Sequence, residues 1–140
     1  MPDLRERRLA VVREHMESEN AHEFDVTMAT FDHPRYEIVP TGEVYDGAEE
    51  VATYFATTRS AFPDQRNESA TLRVADDAVV AEFDLLGTHR GELRGIPPTG
   101  RSFRCRVCAI FEFPPDGDHI VCERVYFDTA TIARQLLGDQ

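Results

Sequence analysis

The chain contains no lysine and no tryptophan, and all of its 15 basic residues are arginine. Against them stand 26 acidic residues, leaving a formal net charge of −11. A surface of that sign repels phosphate backbones, which argues against a nucleic-acid partner. Acid excess without lysine is the composition expected of a salt-loving or GC-rich source. Cysteine is equally scarce, at three residues. An odd count argues against a disulfide framework. Cys105 and Cys108 have C-x-x-C spacing but lie in a strand-like run, where an odd separation sends them to opposite faces. They and Cys122 are expected to be buried free thiols. No apolar run approaches the roughly 20 residues of a membrane span. Met1–Arg13 is charged throughout and has no apolar signal segment. A cytoplasmic, soluble protein without a membrane partner is therefore expected. Repeats, linkers and low-complexity tracts are also missing, so the 140 residues are expected to form one domain, 1–140, with one core.

What the chain does have is one unusual connection, Gly87–Arg101. It joins two long apolar runs, Ala78–Leu86 and Phe103–Phe113, and concentrates Gly87, Gly91, Gly95, Gly100, Pro97 and Pro98. A plain hairpin needs about two to five loop residues. This one is far longer, so it is expected to project as a lip or arm, and long ordered loops are more often functional than not.

The rest of the chain can be read in order. Asp3 is a plausible N-cap for a helix carrying Leu9, Val12 and Met16 at helical spacing. Asn20–Glu23 has the shape of a capping box before a second helix with Phe24, Met28 and Phe31. Arg35–Val39 and Glu43–Tyr45 read as a small hairpin. Asp46 is expected to open a third helix with Val51, Tyr54, Phe55, Thr58 and Phe62 inward, stopping before Pro63. Strands are expected at Gln65–Val74, Ala78–Leu86, Phe103–Phe113 and His119–Asp128, then a closing helix at Thr129–Leu137. Helices early and antiparallel strands late indicate an α+β fold. A curved, mainly antiparallel sheet wrapped around N-terminal helices leaves a cavity at its open end, a natural small-molecule site.

Gly-Thr-His-Arg-Gly (87–91), Gly-Ile-Pro-Pro-Thr-Gly-Arg (95–101), Asp116-Gly117, Tyr126-Phe-Asp128 and Arg134-Gln-Leu together resemble the SnoaL-like polyketide cyclases. These belong to the cone-shaped α+β barrels of the nuclear-transport-factor-two-like group, which includes ketosteroid isomerase. His33-Pro34 and Tyr45-Asp46-Gly47 are placed similarly. The resemblance implies a cone-shaped barrel with a deep apolar pocket, a homodimer packed through the sheet, and no metal or organic cofactor. It also implies ring closure by intramolecular aldol condensation, with a carboxylate of the last strand as base. Here the sequence departs from the family. The catalytic aspartate position falls at Val125, its companion histidine at Ala109 and a third polar position at Ile38. Valine cannot take a proton, so that mechanism does not transfer by motif.

Other residues remain for acid–base work, which needs a carboxylate or imidazole facing the pocket with its pKa shifted by burial. Glu123 shares a face with Val125 and is the nearest substitute base; its alternative role is an ion pair with an arginine. His89, at the root of the arm, is the candidate helper; otherwise it fixes the arm. Asp128 is a third candidate, with helix N-capping as its simpler role. Tyr54, Phe55, Tyr36, Ile38, Phe83, Ala109, Phe111, Val125 and Phe127 are expected to line the ligand site. His15 and His22 are expected on the surface. No His or Cys pair has metal-ligand spacing, no nucleophile elbow is present, and the glycines form no phosphate loop. The expected function is therefore small-molecule work on an apolar or aromatic carbonyl compound, as a cyclase or isomerase moving a proton. The alternatives are a non-catalytic ligand-binding or dimerisation module that has lost its acid–base pair, and a hydroxylase- or epoxide-hydrolase-like activity.

Overall fold

In the computed structural model, which describes residues 1–138, the Asp3 carboxylate accepts from the Glu6 amide at 2.8 Å and opens helix α1, Leu4–Asn20. Short α2, Phe24–Ala29, and the hairpin β1, Arg35–Ile38, with β2, Glu43–Asp46, follow. Next come α3, Ala48–Ala61, and the strands β3, Arg66–Val74, β4, Ala78–Thr88, β5, Ser102–Glu112, and β6, Cys122–Tyr126, before α4, Thr129–Leu137. The strands form one six-stranded sheet in the order β2-β1-β6-β5-β4-β3. Only the β1–β6 pair is parallel. A bulge between Glu68 and Thr71, with Ser69 at φ 57°, breaks the register of edge strand β3 and sharpens its twist. The fold is thus α+β, with a curved and mostly antiparallel sheet.

Three boundaries differ from expectation, each for a local reason. Asn20 does not cap α2. It is the last residue of α1, and its side-chain amide pairs with the Asn67 backbone, donating at 3.0 Å and accepting at 2.8 Å. Asp46 does not cap α3 either. It ends β2 and accepts from His33 Nε2 at 3.0 Å, while Gly47, at φ 95°, supplies the N-cap backbone. The last strand is shorter than His119–Asp128. Ile120 makes only an isolated bridge to Phe31, and Asp128 has left the sheet to cap α4.

The core fills the concave face, with Val12, Val51, Val79, Ala81, Ala109 and Ile120 fully buried. Helix α1 is fastened across it by an arginine. Arg8 is 4% exposed, yet no carboxylate among the described residues pairs with it. Its guanidinium donates to the carbonyls of Gly117 (2.9 Å), Pro114 (2.7 Å), Asp76 (3.1 Å) and Pro115 (3.3 Å). It also lies 5.0 Å from the centroid of the Phe113 ring. One planar fork therefore satisfies two separate turns, β3–β4 and β5–β6.

The long connection folds back on itself. His89 and Gly100 extend the β4–β5 ladder through His89 N–H to Arg101 O and Gly100 N–H to His89 O, both 2.9 Å. Beyond them, Leu93 and Ile96 exchange backbone hydrogen bonds at 3.0 and 2.8 Å around Arg94 (φ 48°) and Gly95 (φ 84°). Two consecutive positive-φ residues are the signature of a tight two-residue hairpin turn. The tip is tied to β2 by the Arg94–Glu43 ion pair. The root is docked on α3, where the Arg90 and Gly91 amides donate to Ala61 O at 2.9 and 3.2 Å.

Two substitutions test this framework. Replacing Arg8 with methionine strands carbonyls whose bonds to a charged donor are worth about 1.5–3 kcal/mol each. The expected loss is at least about 3 kcal/mol in urea unfolding, and Arg8→Lys is expected to recover only part of it. A Cβ at Gly91 would fall inside contact distance of the Ser60 carbonyl oxygen. Gly91→Ala is therefore expected to cost about 1–3 kcal/mol, seen as a lower urea midpoint at unchanged slope.

Candidate functional site

The bent sheet, α3, α4 and the arm enclose a cavity of about 490 Å³. Its sides are apolar: Ile38, Phe83, Leu85, Val107, Val125 and Phe127 from the sheet and its edge, Ile132 and Leu136 from α4, and Leu93 and Ile96 from the arm. Glu19, Tyr36, Tyr54, Arg59 and Glu123 gather at a polar end, and Glu43, Arg66, Glu92 and Arg94 add further charge to the lining.

Strand register explains this division. Across the sheet, Ile38 pairs with Val125 and Val125 with Ala109. The three positions at which the resemblance implied polar groups therefore form one continuous apolar row. Two residues earlier, Tyr36 pairs with Glu123, and Glu123 with Phe111. Side chains two apart share a face, so the polar row lies one step along the same concave surface.

At the centre of that row lies His15, which is fully buried. Its Nε2 stands 2.7 Å from Glu123 Oε1, 3.1 Å from the Tyr36 hydroxyl and 3.4 Å from Glu19 Oε1. Its Nδ1 is 2.9 Å from Thr30 Oγ1. The Thr30 hydroxyl spends its proton on Thr27 O, at 2.5 Å, so Thr30 accepts and His15 Nδ1 carries a hydrogen. The 2.7 Å contact must then hold a second proton, on Nε2 or on Glu123. Phe111 and Phe31 close over the imidazole edge-on at 5.1 and 5.5 Å, which keeps the pair dry.

The charges around His15 set its behaviour. Burial by itself favours neutral imidazole, but the carboxylates of Glu19 and Glu123 outweigh it and push the His15 pKa up to about 10. Burial, with the neighbouring Glu19 charge, raises the Glu123 carboxyl above its ordinary value. Burial also opposes ionisation of Glu19, yet His15, Arg59 and the Tyr36 hydroxyl hold it below the usual range. One imidazole serves two carboxylates. The one beside the guanidinium, with Arg59 Nη2 at 3.9 Å, keeps its charge, and Glu123 is the group whose proton is in play. Arg59 itself lies over Phe24 and Phe55, 5.0 and 5.5 Å from their centroids.

Of the residues singled out from sequence, Glu123, Tyr36, Ile38, Tyr54, Phe83, Val125 and Phe127 reach the cavity. Phe55, Ala109 and Phe111 do not; they belong to the core behind it. Phe55 is stacked on Phe24 at 4.4 Å and crossed edge-on by Tyr36. Ala109 is too short to emerge between its neighbours, and Phe111 backs His15. His89 is fully buried at the arm's root, not in the cavity wall. Its Nδ1 accepts from the Thr99 amide at 3.2 Å and its ring packs on Phe62, so its role is to shape the arm. Asp128 is outside the cavity too. Its carboxylate accepts from the Ala130 amide and the Thr131 hydroxyl, both at 3.0 Å, and caps α4. His15 was expected on the surface and lies at the centre instead. Its α1 neighbours gave the available signal: Val12, His15 and Glu19 follow helical spacing on the face that carries Met16. The same convergence supplies what the sequence spacing did not, a set of metal-ligand atoms within 4.8 Å of one another from His15, Glu19 and Glu123. Among the described residues no helix is long and apolar enough to cross a membrane.

The cluster has a stability signature. A histidine raised to about 10 from 6.5 contributes stability that is complete below pH 6.5 and is lost as pH climbs through 10. The unfolding free-energy difference between the wild type and His15→Gln is therefore expected to shrink steadily from pH 6.5 to 10 in urea titrations. A difference that stays flat across that window would show that His15 is not held as an imidazolium.

Comparison with known proteins places this geometry. The family model for SnoaL-like polyketide cyclases matches residues 10–136. No curated protein sequence matches, but many solved structures do. A protein proposed as a polyketide cyclase from Xanthomonas campestris pv. campestris superposes with TM-score 0.86 at 16% identity, over 96% of this chain and 99% of that one. A proposed SnoaL-like polyketide cyclase from Jannaschia sp. CCS1 gives 0.83 at 16% identity, over 100% and 98%. A proposed hydroxylase from Streptomyces galilaeus gives 0.76 at 17%, over 92% and 80%. At such identities the structures establish the fold alone, and the differing descriptions show that fold does not decide chemistry. The sequence match across nearly the whole chain decides the family: this protein belongs to the SnoaL-like polyketide cyclases.

Proposed function

We propose that the protein is a proton-transfer enzyme acting, without an organic cofactor, on a small and largely apolar carbonyl compound of polyketide type. The observation that carries this reading is the 2.7 Å contact between buried His15 and Glu123 at the polar end of an apolar cavity. Ionised Glu123 takes the proton from the carbon next to the carbonyl. Burial makes such a carboxylate a stronger base than it is in water. His15 orients the base and balances the charge that moves during the transfer. Tyr54, whose hydroxyl has no partner among the described residues, lies in the same cavity wall and donates to the oxygen that becomes an enolate. The proton held on Glu123 returns to another carbon in an isomerisation. In a cyclisation, the enolate carbon bonds to a second carbonyl within the substrate, whose oxygen then takes a proton.

A second reading is favoured by the apolar row Ile38–Val125–Ala109, which occupies the family's polar positions: a binding module that keeps the cavity without turnover. The ring-opening elimination of 5-nitrobenzisoxazole separates the two. It needs only a base that removes one proton from carbon in an apolar pocket, and the product absorbs visible light. Chelator-treated protein is expected to accelerate it, with a rate that rises with pH through a midpoint above 4.5, the ordinary value for glutamate. Glu123→Gln is expected to lower that rate about 10²–10⁴-fold, while Glu92→Gln at the cavity mouth leaves it unchanged. A probe that binds and raises thermal stability, but reacts no faster than with Glu123→Gln, would establish the binding module instead.

A further inference from the structure

We infer that the polar end of the cavity is also a binding site for one first-row divalent metal ion, held by His15 Nε2 and one carboxylate oxygen each from Glu19 and Glu123. The inference needs only the geometry of the three side chains and stands apart from the proton-transfer reading.

The donors are already gathered. Nε2 lies 2.7 Å from Glu123 Oε1 and 3.4 Å from Glu19 Oε1, and all three ligand atoms fall within 4.8 Å of one another. An ion with bonds of about 2.0–2.2 Å to nitrogen and oxygen in tetrahedral array sets its ligands roughly 3.3–3.5 Å apart. Reaching that spacing from the metal-free contacts takes shifts of well under a side-chain rotamer change. His15 and Glu19 are four apart on α1, so one helix face supplies two ligands, and β6 supplies the third.

The surroundings match what a metal site requires beyond its ligands. A ligating histidine donates through its other nitrogen to a fixed acceptor. Here His15 Nδ1–H meets Thr30 Oγ1 at 2.9 Å, and Thr30 is itself pinned to Thr27 O. The Glu19 oxygen not needed for the ion is held separately: Oε2 accepts from Tyr36 at 3.3 Å and faces Arg59 Nη2 at 3.9 Å. Arg59 therefore orients Glu19 from the side away from the ion. Two carboxylates neutralise a dication, and the imidazole binds as its Nδ1–H tautomer once Nε2 has given up its proton. Glu19 and Glu123 both line the cavity, which gives the ion an entry path and leaves coordination positions open toward a ligand oxygen or water. One imidazole nitrogen with two carboxylates suits zinc, cobalt, manganese or iron(II) over calcium or copper(I).

The test is cobalt(II) alone, added to chelator-treated protein and followed by visible absorption and by thermal denaturation. The expected result is one tight equivalent with the intense bands of low-coordinate cobalt, displaced stoichiometrically by zinc, and a rise in melting temperature with metal concentration. Thr30→Val, which keeps shape and removes the acceptor for Nδ1–H, is expected to weaken binding about 10–100-fold. Glu19→Gln is expected to abolish the intense bands. Glu19 lines the cavity and its side chain is only part-buried, so this variant is expected to keep the fold even if His15→Ala does not. Weak, pale uptake that is unchanged in Glu19→Gln and Thr30→Val, as exposed His33 or His119 would give, overturns the proposal. Elimination of 5-nitrobenzisoxazole by the metal-free protein stands or falls separately, and zinc is expected to suppress it by occupying Glu123.

Discussion

The short contact between His15 and Glu123 is the constraint on which the rest of the site depends. It joins the first helix to the last strand, 108 positions apart in sequence, through a bond that cannot form without a proton. Charges taken out of water are costly unless each is paired and hydrogen-bonded. Here the carboxylates and the imidazole are partnered, and of the cluster's buried side-chain polar atoms only Arg59 Nε lacks a hydrogen-bond partner among the described residues. With both carboxylates ionised, the imidazolium and Arg59 balance them, Tyr36 bridges to Glu19 and to His15, and Thr30 receives the remaining imidazole hydrogen. The cluster is neutral as a whole but strained in distribution, because two carboxylates compete for one imidazole. Burial opposes ionisation of both carboxylates, and it is Arg59 and the Tyr36 hydroxyl beside Glu19, together with the shared imidazole, that separate its behaviour from that of Glu123.

The sheet decides where this cluster can stand. The row Ile38–Val125–Ala109 is apolar and continuous through the ladder, and a carboxylate at Ile38 or Val125 would face the open cavity. The row Tyr36–Glu123–Phe111 is one step along, under α1, where His15 can reach it. Moving the polar groups by two residues therefore changes their partner. A carboxylate in the Val125 position would be served by neighbouring strands, whereas Glu123 is served by a helix. On the proton-transfer reading, the chemistry of the cavity would be carried by a helix–strand pair.

Much of the architecture was legible because it rests on local or period-two signals. The arm was marked by its glycines and prolines, the strands by their apolar alternation, and the α4 cap by Asp128 next to Thr129. Glu123 could be reached from Val125 by strand periodicity alone. The remainder required knowing which helix face packs inward. Arg8, Val12, His15 and Met16 share the buried face of α1, but the abundance of arginine and glutamate on that helix hid it. Arg8 reads as a solvated charge until two distant turns are seen to offer it four carbonyls. His15 reads as a surface residue until Glu123 and Thr30 are seen to be its partners. Asn20 and Asp46 look like caps because capping and strand-edge pairing use the same short polar side chains, and only the tertiary neighbours decide between them.

The cluster of Glu19, Tyr36, Tyr54, Arg59 and Glu123 meets an aliphatic and aromatic wall in the cavity, and on the proton-transfer reading this contrast would orient an amphipathic ligand. On that reading, its oxygen-bearing end would gain hydrogen bonds beside Tyr54 and Glu123, and its apolar body would gain burial against Ile38, Phe83, Val125 and α4. Reversing it would set a desolvated polar group against aliphatic wall, at a cost of roughly 1–3 kcal/mol for each unmet hydrogen bond. Leu93 and Ile96 present side chains to the cavity from a hairpin pinned at its root to α3 and at its tip to β2. Because both ends of the arm are tied to elements that also build the cavity wall, the depth of the pocket and the position of its polar end are set together. On the proton-transfer reading, a ligand that touches both the arm and Glu123 would be held at a set distance from that carboxylate, as a transfer that depends on approach to within a hydrogen-bond length requires.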